Sequence, residues 1–101
     1  MSFAEILTAS RRVFILRLLA EVGDANESVI HTATLSGGVG NPGRDDIRRD
    51  LDHLKSVGCV EEDWLNASLR VVGLTDRGRD AAHGRVKVDG VEHSRWNPKG
   101  A

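Results

Sequence analysis

Ile47, Leu51 and Leu54 recur at i, i+4 and i+7 in a stretch that is otherwise charged, and Gly58 follows shortly after. That spacing gathers three apolar side chains on one face of a helix and leaves the remaining surface to water. The glycine has the position and type of a C-terminal cap. Residues 59–64 and 69–74 then read as two strands, parted by Leu65-Asn66-Ala67-Ser68, a plausible hairpin loop. The chain therefore has to seat a half-buried helix and a two-stranded ribbon on one small core.

Punctuation divides the rest. A long helix is expected over residues 2–22, with Ser2 as N-cap and Glu5 at capping-box spacing, ended by Gly23-Asp24. A second helix fits residues 27–35 and is stopped by the glycine-rich run Ser36-Gly37-Gly38-Val39-Gly40-Asn41-Pro42-Gly43. The third helix occupies residues 43–58, and Thr75 caps a short fourth one that reaches residue 84. Residues 85–101 carry valines at 86, 88 and 91, two glycines and Pro98, with no helical period, and read as an extended arm. A length of 101 residues fits one domain. The division expected is a folded body of residues 1–84 and an arm of residues 85–101.

Three helices, a hairpin and a fourth helix are the order of a winged helix-turn-helix, a mostly α fold of the α+β class with a two-stranded wing. The passage Ile47-Arg48-Arg49-Asp50-Leu51-Asp52-His53-Leu54-Lys55-Ser56-Val57-Gly58-Cys59-Val60 resembles the recognition helix, glycine and wing of ArsR- and MarR-type regulators. Leu74-Thr75-Asp76-Arg77-Gly78 resembles the Leu-Thr-x-x-Gly that closes their wing. From residue 2 to residue 91, including Gly84-Arg85 and Val88-Asp89-Gly90-Val91, the chain is similar to small winged-helix proteins of Mu-like prophages. The resemblance implies a DNA-binding protein that regulates transcription.

In a helix-turn-helix protein, the N-terminal side chains of the second helix of the motif reach base edges in the major groove. Arg44, Arg48, Arg49 and Lys55 are the candidates here, because arginine can donate two parallel hydrogen bonds to guanine or phosphate. Arg70 is expected to touch a phosphate from the wing, with Arg95 and Lys99 adding contacts from the arm. Residues 77–101 hold six cations against three acids. Against this stands a neutral third helix: Asp45, Asp46, Asp50 and Asp52 match its four cations in number, and Asp45 and Asp52 each lie three and four residues from Arg48 and Arg49, where ion pairs form. The wing adds Glu61-Glu62-Asp63. Double-stranded DNA is thus one expected partner. The alternative is a winged helix used only for protein–protein contact in phage assembly or DNA packaging, with a phage or host protein engaged through the arm. Trp96 supports the alternative, since a large indole is expected to dock on its own domain or on a partner.

On the first helix, Leu7, Phe14, Ile15, Leu18 and Val22 mark one apolar face. Ala9, Val13, Leu16 and Ala20 form a second, uncharged stripe at i, i+4, i+7 and i+11. A homodimer through that second stripe is expected, unless the fourth helix or the arm covers it within the same chain.

Other motifs lead away from chemistry. Gly38-Val39-Gly40-Asn41-Pro42-Gly43 matches G-x-G-x-x-G by letters but lacks the preceding strand of a dinucleotide site. The four histidines and Cys59 form no metal spacing, and one cysteine excludes an internal disulfide. Cys59 fits a small core residue. No nucleophile motif is present, so neither catalysis nor a cofactor is expected. The longest apolar run, residues 13–16, is too short for a membrane span, and no secretion signal opens the chain, which points to the cytoplasm.

Overall fold

In the computed structural model, which describes residues 2–95, seven elements follow one another. They are α1 (Phe3–Val22), β1 (Ala25–Asn26), α2 (Glu27–Ser36), α3 (Arg44–Ser56), β2 (Val60–Asn66), β3 (Leu69–Leu74) and α4 (Asp76–Ala82). Four helices and a three-stranded antiparallel sheet of order β1-β3-β2 make an α+β domain. The expected order of helices and hairpin is present, and β1 is an addition.

Each boundary has a local cause. Ser2 and Glu5 form the expected capping box at the start of α1, and Gly23, at φ 82°, ends that helix. The Asn26 side chain accepts from the Val29 N–H and caps α2. Gly43 has no side chain to cap α3, so Asp46 reaches back and accepts from the Gly43 N–H at 2.9 Å. At the other end, the Gly58 N–H donates to Lys55 O and the Cys59 N–H to Leu54 O, the paired bonds of a Schellman motif. Gly58 adopts the required left-handed conformation, at φ 77°. Leu54 and Cys59, which flank this turn, are both fully buried.

The hairpin is longer than the sequence implied. Leu65 and Asn66 extend β2, an irregularity between Trp64 and Asn66 absorbs the mismatch, and Ala67-Ser68 alone turn the chain. Its ends are clamped by Leu74-Thr75-Asp76-Arg77-Gly78. The Thr75 hydroxyl donates to Gly58 O and accepts from the Gly78 N–H, while the Thr75 N–H donates to Cys59 O. A Cβ on Gly78 would lie 1.9 Å from Cys59 O, so only glycine lets α4 press this closely on the hairpin's root.

Ile15, Leu16, Leu19, Ile30, Ile47, Leu51, Leu54, Val60, Val72 and Ala82 form the core. The faces of α1 differ from the expected ones. Leu19 replaces Val22 in the core, and Val22 is exposed. Val13 and Leu16, half of the stripe expected to dimerise, are buried within this chain. Ala9 and Ala20 are partly covered. The physical reason is that α4 and residues 85–95 lie along α1: Val88 joins the core, and the Glu92 N–H donates to Ala9 O. Arg12 donates to Gly90 O, and Arg17 to the Ser94 hydroxyl. The apolar surface on which that dimer contact rested is consumed in cis. Trp96 and Lys99 lie outside the described residues.

A buried carboxylate lies beside this core. Asp50, on the inward side of α3, is 1% exposed at its side chain and accepts from Arg11 and Arg12 of α1. Arg11 Nη2 and Arg12 Nε approach Asp50 Oδ1 at 3.0 and 3.1 Å, and Arg11 Nε donates to Oδ2. The carboxylate holds Arg11 protonated, raising its pKa against the opposing effect of burial. Asp50→Ala strands two arginines beside an apolar core, so it is expected to lower the unfolding free energy by about 3–5 kcal/mol. Urea denaturation of the purified chain, compared with the parent, measures this.

Candidate nucleic-acid interface

With Ile47, Asp50, Leu51 and Leu54 turned inward, α3 presents Arg44, Arg48, Arg49 and Lys55 to solvent. All four are about half exposed or more, Arg49 reaching 70% at its side chain. Each is also matched with an acid. Arg44 and Arg48 converge on one oxygen of Glu27, at 3.1 and 2.9 Å, and Arg48 also meets Asp45 at 3.0 Å. Arg49 pairs with Asp46, and Lys55 with Glu62 of β2. The sequence foretold Arg48 with Asp45, but Arg49 takes Asp46, and Asp52, expected beside the two arginines, turns to Arg70 instead. It did not foretell Glu27, whose only signal was its position as the first residue of α2.

Arg70 departs from expectation. Its side chain is 6% exposed and lies beneath the hairpin, donating to Asp52 of α3 with its Nε 2.8 Å from Glu62 Oε2. Register explains this: Arg70 sits directly opposite Trp64, on the sheet face that carries Val60, Glu62 and Val72 toward the helices. It has no free route to a phosphate. Arg95 is exposed, whereas Lys99 lies outside the described residues.

The inner face of the hairpin changes character along its length. Val60 and Val72 belong to the core, Glu62 and Arg70 form an ionic layer with Lys55 and Asp52, and Trp64 stands near the tip. The Arg70 guanidinium lies 5.8 Å from the centroid of the Trp64 ring, which is itself 50% exposed. Beside it a cleft of about 390 Å³ opens between the hairpin and the N-terminal ends of α2 and α3. Asn26, Glu27, Arg44, Arg48, Trp64 and Arg70 are among its walls. Sequence reading passed over Trp64; the alternation Val60, Glu62, Trp64 on one strand face was the signal that located it. The opposite face of the hairpin is acidic, with Glu61 and Asp63 beside Asp24.

Acid–base shifts follow the same pairs. The Gly43 N–H, followed by Arg49, holds the Asp46 carboxyl below its usual range. Lys55, with Arg70 behind it, does the same for Glu62. Burial pushes the Cys59 thiol up, in keeping with a core residue. Among the described residues no cluster of His, Cys, Asp or Glu is arranged to hold a metal ion, and no helix is long and apolar enough to cross a membrane.

No family profile matches the chain. It is 39% identical over 92 residues to an uncharacterized protein, gp26, of Escherichia phage Mu, covering 90% of this chain and 94% of that protein. It is also 36% identical over 99 residues to an uncharacterized protein of Haemophilus influenzae, covering 92% and 96% of the two.

Lowered carboxyl pKa values tie the α3 interface to acid. Stabilisation by Asp46 and Glu62 is full above their ordinary values of 3.8 and 4.5, and is lost as pH falls through their lower folded values. The melting temperature is therefore expected to drop between about pH 5 and about pH 3. Glu62→Gln is expected to shrink that drop, as followed by circular dichroism.

Proposed function

This chain belongs to the family of the Escherichia phage Mu protein gp26, and we propose that it is a winged-helix protein that binds double-stranded DNA. In this reading α3 lies in the major groove, the hairpin is the wing, and the protein is a cytoplasmic regulator of transcription that works by recognition without catalysis. One observation carries the proposal: Arg44, Arg48 and Arg49 stand outward on the first half of a helix that leads directly into a hairpin. Those are the positions from which a recognition helix reaches base edges and phosphates. Arg95 adds an exposed cation from the segment that follows α4.

The ion pairs set the terms of binding. Surface pairs contribute about 0–1 kcal/mol each, so a phosphate or guanine can replace Asp45, Asp46 or Glu27 at small cost. What the pairs remove is the uncompensated charge that drives sequence-independent affinity. Weak nonspecific binding, with strong dependence on the sites where arginine meets guanine, is the expected behaviour.

Protein–protein contact is a second reading. Trp64 and Leu65, 50% and 62% exposed at the hairpin tip beside an acidic sheet face, favour it. One titration separates the two. Binding to random duplex DNA should weaken steeply between low and moderate salt, with a slope reporting several phosphates. Arg48→Ala and Arg49→Ala should each reduce that slope by about one. Absence of binding even at low salt overturns the DNA reading and favours the second.

A further inference from the structure

We propose that the cleft between the hairpin and the starts of α2 and α3 binds a nucleotide of an unpaired DNA strand, with Trp64 as the stacking platform for the base and Arg44 and Arg48 as the phosphate ligands. The site shares two arginines with the interface above but does not require α3 to enter a duplex groove.

Trp64 is built as a platform. Its indole stands half exposed on a strand whose root is in the core. One side of the ring is braced by the Arg70 guanidinium, 5.8 Å from the centroid. Asp52 and Glu62 in turn pin Arg70, which leaves it almost no exposure. The residue as a whole is left half open to solvent, beside the cleft that Arg70 also lines. A fixed aromatic face open to water suits a flat π-surface, and any base supplies one.

The other wall supplies the anion site. Arg44 Nη2 and Arg48 Nε already meet at one carboxylate oxygen, Glu27 Oε1, at 3.1 and 2.9 Å. Their two forks are thus spaced to share a single anionic oxygen, and a phosphate oxygen presents the same target. Arg48 also pairs with Asp45, so this end of the cleft is balanced at rest, and a phosphate binds by taking the place of Glu27 between the two forks. The cleft, at about 390 Å³, offers room for a base and its phosphate between these walls. In a duplex the base faces are buried in the stack, so only an unpaired strand can present a base to Trp64 and a phosphate to the arginines together.

The test uses the full chain with Trp96→Phe, which leaves Trp64 as the emitting indole. A short single-stranded oligothymidylate should quench that emission saturably. Binding of the same labelled strand, followed by anisotropy, should weaken on the order of tenfold in Trp64→Ala and be largely kept in Trp64→Phe. It should be lost when Arg44 and Arg48 are both changed to Ala. Unchanged emission throughout the titration, or equal strand affinity in Trp64→Ala with an unaltered circular dichroism spectrum, overturns the proposal. Duplex titration of the same proteins keeps the two ideas apart. Strand quenching without duplex binding removes the function proposed above and leaves this site, while duplex binding without quenching removes this site alone.

Discussion

The orientation of α3 depends on Asp50. A carboxylate this deeply buried costs several kcal/mol in desolvation unless its lone pairs are filled, and Arg11 and Arg12 fill them from α1. Ile47, Leu51 and Leu54 alone would allow the helix some freedom to roll, because apolar contact is not directional. The charge pair is directional, and it lies beside the apolar stripe on the inward side of α3. Once Asp50 faces α1, Arg44, Arg48 and Arg49 are obliged to face away from it. The outward cations and the inward carboxylate are consequences of one helical register.

A second constraint is electrostatic balance. The four candidate cations of α3 meet acids from three sources: α3 itself, the first residue of α2 and strand β2. Pairs of this kind contribute little to stability where they are exposed. Their effect is to hold long side chains in chosen places at low net charge. An interface that is neutral at rest distinguishes partners by geometry more than by total charge, since any partner must match what the carboxylates already provide.

Much of the fold was legible because local rules and tertiary packing agree. Ser2 with Glu5, Gly58 and the Thr75–Gly78 clamp each name a backbone position with one cheap solution, and each is found there. What escaped was non-local. The two-residue strand β1 has no periodicity to detect, being defined only by pairing with β3. The stripe of Val13 and Leu16 was visible, but which element would cover it depended on residues 85–95, whose sequence has no regular period. Arg70 and Trp64 were both readable as strand residues. That they share the inner face, one buried under the other, follows from the hairpin register, and the short Ala67-Ser68 turn set that register. At the candidate interface the cations were evident, whereas the carboxylate that joins Arg44 to Arg48 comes from about twenty residues away and required the tertiary structure.

The smallest element has a mechanical consequence. Ala25 and Asn26 are bonded to Val72 and Val71 of the hairpin, and Glu27 is the very next residue. The ribbon is therefore tied to the start of α2, and with it to the carboxylate that clasps two guanidinium groups. Three residues of backbone thus fasten the clasp on those side chains to the ribbon it stands beside.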